Sequence, residues 1–204
     1  MGSSVQPKAQ NEKFQVGFPP VAAAENSALI RHLVDVVNAV YTKDEQGIWA
    51  SDKPFARTDD DEISKYLQSG ELALAWASDT SKPAEPGFVP EPSSVMGCIH
   101  LHRPEERLVE VGMLVCDPAF RGSGVGRELM RFAEEHAKEQ GAAVTQVELL
   151  FPEGWEHPFK MRLQGWYERL GYKLVRMGEV KDKYPRLVDS LAGPTRFKVS
   201  EKQL

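Results

Sequence analysis

Basic residues are in short supply in this chain: 25 Lys and Arg stand against 30 Asp and Glu, a net charge of −5. A broad electrostatic grip on nucleic-acid phosphates needs a basic excess, so that class of partner is not expected. Long apolar runs are also missing, and no stretch approaches the length that crosses a bilayer. The first residues, MGSSVQPKAQNEKF, are polar and carry no signal-peptide core. Gln6 stands where a myristoylation pattern needs Ser or Thr. The C-terminal EKQL matches a peroxisomal ending poorly. Cysteine is scarce, at two residues, and Cys98 and Cys116 both lie in apolar stretches. Free thiols in a reducing cytoplasm are expected rather than a disulfide. No metal, membrane or nucleic-acid partner is expected.

What remains is an ordinary globular composition, with 41% apolar and 27% charged residues in 204. That supports one domain with a sizeable core. Met1–Glu12 reads as a flexible leader, and residues 13–204 as a single domain. Neither an internal repeat nor a second-domain linker stands out. Periodicity predicts strands over Phe14–Phe18, Leu72–Ala77, Val95–His102, Leu108–Cys116, Val144–Phe151, Tyr172–Met177 and Arg196–Ser200. Between them, a helix follows Asn26 or Ser27, with Leu29, Ile30, Leu33, Val37, Val40 and Tyr41 at helical spacing. A second starts at a Thr58–Asp61 capping box and stops at Gly70. A third carries Val125, Leu129, Met130, Ala133 and Ala137 on one face and closes at Gly141. A fourth ends at Gly171, and a short helical patch spans Asp182–Leu191. Ser78–Ser93, rich in proline, reads as an exposed loop. Three strands in succession, then strand, helix, strand, helix, strand, argue an α/β or α+β fold.

The informative segment is Arg121-Gly122-Ser123-Gly124-Val125-Gly126, between the fourth strand and the third helix. Glycines let backbone N–H groups approach a ligand closely. The first turn of a helix leaves its N–H groups unpaired and partly positive, which suits a phosphate or pyrophosphate. Arg121 and Arg127 add full charges. A P-loop needs Lys-Ser/Thr after its last glycine, where Arg127-Glu128 stands. A dinucleotide fingerprint needs G-x-G-x-x-G on the first strand–helix unit, and neither spacing nor position fits.

A strand ending in Asp117-Pro118 and followed by Arg-x-x-Gly-x-Gly resembles the acyl-CoA loop of the GNAT superfamily of N-acetyltransferases. The resemblance runs from Val109 through Phe120 before the loop. It resumes in Trp166-Tyr167-Glu168-Arg169-Leu170-Gly171-Tyr172, and it is sharpest over Leu108–Val175. It implies a mixed, mostly antiparallel twisted sheet, splayed between strands four and five, with helices on both faces. It also implies acetyl-CoA as cosubstrate. Main-chain groups of Leu114, Val115 and Cys116 would hold acetyl and pantetheine. Those of Arg121, Gly122, Ser123, Gly124, Val125 and Gly126 would hold the pyrophosphate, with Arg127 beside them.

The resemblance makes Tyr167 the acid that protonates the departing thiolate, a role its ordinary pKa of about 10 allows. The attacking amine must lose a proton, and Glu110, an acid within an apolar strand, is the first candidate base. Glu148 and His157 are the others. Strand alternation puts Glu110, Gly112 and Leu114 on one face unless a bulge near Met113 changes the register. The family often has Asn after the fifth strand, where this chain has Pro152–Phe159. Cys116 is read as a small packed residue rather than a covalent acetyl carrier. Thr42–Arg57 and Met177–Arg196 would wall the acceptor site. Trp49, Arg57, Trp155 and His157 are its candidate contacts, the alternative being that Trp49 and Phe55 cover the core. The implied reaction is direct transfer of acetyl from acetyl-CoA to a primary amine of a small molecule. A protein acceptor, lysine or N-terminus, and a non-catalytic acyl-CoA-binding module are the alternatives. A homodimer is a further state the resemblance allows.

Overall fold

A computed structural model describes residues 13–53, 55–78 and 87–204. The expected leader and half of the proline-rich loop lie outside them. Among the described residues seven strands occur: β1 (Phe14–Gly17), β2 (Leu72–Ala77), β3 (Val95–Glu105), β4 (Leu108–Cys116), β5 (Val144–Pro152), β6 (Lys173–Glu179) and β7 (Thr195–Gln203). The helices are α1 (Ser27–Asp44), α2 (Asp60–Ser69), α3 (Val125–Glu139), α4 (Pro158–Arg169) and the one-turn α5 (Val180–Lys183). The strands pair in the order β1-β2-β3-β4-β5-β7-β6. β1–β2, β2–β3, β5–β7 and β6–β7 are antiparallel, while β4–β5 is parallel. The result is the expected mixed, mostly antiparallel α/β sheet with helical crossovers.

Backbone contacts divide the chain into two compact units. In the first, Leu29, Ile30, Leu33, Val34, Val37 and Val40 of α1 are buried, the face its spacing predicts. Asn26 caps α1, its side-chain oxygen accepting from Leu29 N–H at 3.1 Å. The cap of α2 differs from expectation. Asp59, not Thr58, accepts from the Glu62 N–H at 2.8 Å. The backbone of Thr58 is held from outside, because Asn38 accepts from its N–H and donates to its carbonyl. That fixes Thr58 one residue too early to cap. Gly70, at φ 68, ends α2 in the left-handed conformation. Within β3, a Cβ at Gly97 would overlap the Val115 carbonyl oxygen, so only glycine lets the backbones close up there.

In the second unit β5 lies between β4 and β7. The parallel register runs from Leu108↔Val144 to Val111↔Val147, and places Glu110 opposite Gln146. Beyond it Met113 takes φ 43, the irregularity anticipated there. Burial still alternates along β4. Val109, Val111, Met113 and Val115 are buried, while Glu110, Gly112, Leu114 and Cys116 lie on the more open face. A core of Ile48, Leu150, Val180, Phe197 and Val199 gathers Trp49, Tyr184, Leu187 and Leu191 around it. No helix of the described residues is long and apolar enough to cross a membrane.

Candidate acetyl-transfer site

The glycine loop belongs to the first unit. Asp117 caps a short 3-10 turn over Pro118–Phe120, accepting from Ala119 N–H at 2.7 Å. Ser123 Oγ donates to the Phe120 carbonyl at 2.6 Å, tying the loop back on itself. Gly122 and Gly124 have φ of 85 and 94, a region open to glycine and strained for other residues. The Gly124 carbonyl accepts the Glu128 N–H and so opens α3. The predicted face of α3, Val125, Leu129, Met130, Ala133 and Ala137, is buried.

Space around the glycines distinguishes a ligand cradle from a packing device. A Cβ added at Gly122, Gly124 or Gly126 meets nothing within 4 Å. Gly126 is helical and its φ is not positive. Neither backbone conformation nor packing therefore requires glycine there. Open space over unpaired helix N–H groups is what an approaching phosphate needs.

Cys116 stands just before this loop, and burial pushes its thiol up to about 11. Arg121 pulls the other way and Asp117 adds to the rise, so the group is a neutral thiol near pH 7. Neither cysteine is in a disulfide.

The second unit carries the titratable groups. Glu110 on β4 and Gln146 and Glu148 on β5 share one sheet face, as register and alternation require. The buried Gln146 amide donates to Glu110 Oε1 at 3.1 Å and to Glu148 Oε1 at 3.3 Å. Lys183, the last residue of α5, places its Nζ 2.7 Å from Glu110 Oε2 and 3.0 Å from Glu148 Oε2. Two of the three candidate bases therefore share one ammonium. Sequence reasoning did not single out Lys183 or Gln146. Only the β4–β5 register and the placing of α5 bring them together.

Tyr167 is half-buried, its ring 5.2 Å from Trp166 and 5.7 Å, edge-on, from Tyr172. Burial raises its pKa above the ordinary tyrosine value, and the nearby Tyr41 phenol adds to the rise. The hydroxyl therefore stays protonated across the neutral range.

The two segments assigned to the acceptor wall are bound to each other. Ala50 N–H donates to the Ser190 carbonyl at 2.8 Å, and Ala192 N–H to the Ile48 carbonyl at 2.9 Å. Trp49 stacks on Phe55 at 3.8 Å and donates its indole N–H to Glu45 at 2.7 Å. Arg57 lies over the Tyr41 ring. Trp155 is exposed, packs within 5.2 Å of His157, and stands over Gly47. His157 caps α4, its Nδ1 accepting from Lys160 N–H at 3.5 Å. Its buried Nε2 has no hydrogen-bond partner among the described residues. His157 is thus grouped with Trp155.

A second feature escaped sequence reasoning. Lys160 and Glu45 form an ion pair at 2.5 Å with both side chains about 5% exposed. A lysine on a helix reads as a surface residue, and its partner lies 115 positions away. Lys160→Met leaves the buried Glu45 carboxylate with the Trp49 indole N–H but without a counter-charge. The expected loss of stability is about 3–5 kcal/mol, measured by urea unfolding. Adding Glu45→Gln should recover part of it. A loss under about 1 kcal/mol would put the pair on a solvated surface. Among the described residues, no group of three or more His, Cys, Asp or Glu is gathered as a metal set would be.

Residues 87–174 match the family model described as an acetyltransferase (GNAT) domain. No curated protein matches the chain by sequence. The fold is similar to that of an aminoglycoside 6′-N-acetyltransferase complexed with coenzyme A. There the TM-score is 0.58 at 15% identity, over 88% of this chain and 92% of that one. It is also similar to Ard1 from Thermoplasma volcanium, with a TM-score of 0.58 at 13% identity, over 94% and 97%. A chain of the NatC complex bound to Gag peptide and CoA gives 0.57 at 14% identity, over 94% and 99%. At such identities the likeness is one of fold. By that model residues 87–174 match a GNAT acetyltransferase domain, and the fold of the chain is similar to those of solved acetyltransferases.

Proposed function

We propose that the chain transfers acetyl from acetyl-CoA to a primary amine by direct attack in a ternary complex, and that the acceptor is a small molecule. The observation that carries the cosubstrate is the open cradle of Gly122, Gly124 and Gly126 at the start of α3. Residues 13–204 are read as one acetyltransferase domain working in the cytoplasm, where acetyl-CoA is at hand.

Main-chain N–H groups of the Arg121–Gly126 loop bind the pyrophosphate, those of Gly122, Gly124, Val125 and Gly126 foremost, because the Arg121 and Ser123 N–H groups already donate to the Pro118 and Phe120 carbonyls. The charges of Arg121 and Arg127 help. Backbone groups of Leu114, Val115 and Cys116 align the pantetheine and the thioester. The acceptor's ammonium gives a proton to Glu110, directly or through water. The neutral nitrogen then attacks the thioester carbonyl carbon. As the C–S bond breaks, the attacking nitrogen loses its second proton to solvent and the Tyr167 hydroxyl gives its proton to the sulfur. Tyr167 then regains a proton from solvent and Glu110 releases the one it took. A phenol with a raised pKa is a weak acid, but the burial that raises it also makes a departing thiolate more basic. The neutral Cys116 thiol is a poor nucleophile, which supports direct transfer over an acetyl-cysteine intermediate. Trp49, Arg57, Trp155 and His157 remain acceptor-side candidates. Hydrogen bonds joining the two wall segments favour a small amine over a polypeptide.

The test is acetyl-CoA-dependent thiol release over an amine panel. Polyamines, aminoglycosides, amino acids and arylalkylamines form one arm, lysine and N-terminal peptides the other. Turnover confined to the first arm is the expected result. Turnover confined to the second assigns a protein acceptor. Acetyl-CoA binding with no turnover in either arm would favour a binding module.

A further inference from the structure

Lys183 occupies an unusual place for a lysine. Its Nζ lies 2.7 Å from Glu110, the residue read above as the base, and 3.0 Å from Glu148. A group that accepts a proton from the acceptor's ammonium must meet that nitrogen at hydrogen-bond distance. In this structure the nitrogen at that distance belongs to the protein. The other polar neighbours complete a cation setting. Gln146 directs its amide at the far oxygens of both carboxylates, leaving Oε2 of each to the ammonium. The Tyr184 ring lies 5.8 Å from Nζ. Burial raises the pKa of the Tyr184 hydroxyl; Lys183 and Arg57 pull it down, while Glu148 and Glu110 add to the rise.

Charge balance gives this contact a direction. Glu110 and Glu148 carry two negative charges and Lys183 one positive, so one negative charge is left over. That charge attracts a second cation, but Gln146 holds Oε1 of each carboxylate and Lys183 holds Oε2, so the newcomer reaches them only by taking Lys183's place or moving it outward. Lys183 can move. Its side chain is 34% exposed, against 22% for Glu110 and 14% for Glu148, and α5 has a single turn. It also stays charged. Burial works against its ammonium, but the Glu110 and Glu148 hydrogen bonds outweigh that and its pKa is raised. A lysine held so firmly as an ammonium is a poor nucleophile and a good counter-ion.

We propose that Glu110, Gln146 and Glu148 form a cation subsite for the acceptor, and that Lys183 fills it at rest as a tethered ammonium which the acceptor's own ammonium must displace. The inference rests on the reading of Glu110 as the base, and it narrows the acceptor to alkylammonium ions. Amines that are neutral at pH 7, such as anilines, have no charge with which to displace Lys183. The lysine then acts as a specificity filter, setting the affinity for the acceptor and leaving the chemical step to other groups.

The size of the effect follows from occupancy. A resident that holds the subsite nine-tenths of the time weakens apparent binding about tenfold. The experiment compares wild type, Lys183→Met and Lys183→Arg, with melting temperatures to confirm folding. Calorimetry at pH 7 first measures binding of phenethylammonium and spermidine, which needs no turnover. Lys183→Met should bind them about tenfold more tightly than wild type, and adding Glu110→Gln should abolish the gain. Lys183→Arg, which keeps a cation in place, should stay near wild type. Kinetics with an amine that supports thiol release should show KM lowered about tenfold in Lys183→Met and kcat within about twofold. Equal or weaker binding by Lys183→Met overturns the proposal, as does a fall in kcat at constant KM. The binding arm reads the same whether or not acetyl is transferred. Absence of thiol release would therefore count against the proposed function, while tighter binding by Lys183→Met would still uphold the subsite.

Discussion

Gly126→Glu is expected to raise the melting temperature and abolish acetyl-CoA binding. The two effects have separate causes. Gly126 is the second residue of α3, with a helical φ and open space where a Cβ would project. Replacing a helical glycine is worth up to about 1 kcal/mol. A carboxylate in the first turn adds about 0.3–1 kcal/mol through the helix dipole. For a chain of this length those gains correspond to a rise of about 2–6 °C. The same carboxylate would stand where the pyrophosphate is proposed to bind and would compete for the same N–H groups. Affinity should fall about a hundredfold or more, equivalent to at least about 2.7 kcal/mol. Gly124→Glu should also lose binding but melt lower, because residue 124 has φ 94. Gly124→Ala carries the backbone strain without the charge and should keep most of the affinity. A Gly126→Glu protein that is stabilised and still binds acetyl-CoA normally would remove the loop from the site.

Tyr167→Phe should lower kcat by about a hundredfold or more, the scale of a lost general acid. Acetyl-CoA affinity should stay within about twofold, because the loop that carries it is unchanged. The ring remains in its contacts with Trp166 and Tyr172, so the melting temperature should hold as well. Burial keeps the phenol protonated beyond its ordinary pKa of about 10, so the wild-type rate should persist into alkaline solution. Full activity of the variant across pH would assign proton donation to another group, such as solvent.

The part of this molecule that follows local rules was legible in its sequence. Alternation marked β4, helical spacing marked the buried faces of α1 and α3, and Gly70 and Gly141 marked helix ends. Arg121–Gly126 was legible because a glycine loop at a helix start has a meaning without its surroundings. The rest depends on residues far apart in the chain. Thr58 reads as a cap until Asn38, twenty residues earlier, takes its backbone. Glu110 reads as a lone acid until register sets Gln146 beside it and α5 delivers Lys183. Lys160 reads as a surface residue until Glu45 meets it in the interior. No local pattern encodes such pairings, since each is decided by the register of two strands or the packing of two segments.

The proposed reaction requires that this chain bind acetyl-CoA through its glycine loop. Calorimetric titration of acetyl-CoA into the purified protein tests it without knowledge of the acceptor. The account predicts one site with a dissociation constant in the micromolar range, competed by CoA. Saturable binding of that kind would leave only the acceptor to be identified. No detectable binding at millimolar acetyl-CoA, in a protein that melts cooperatively, would contradict the assignment of the loop and the transfer reaction built on it.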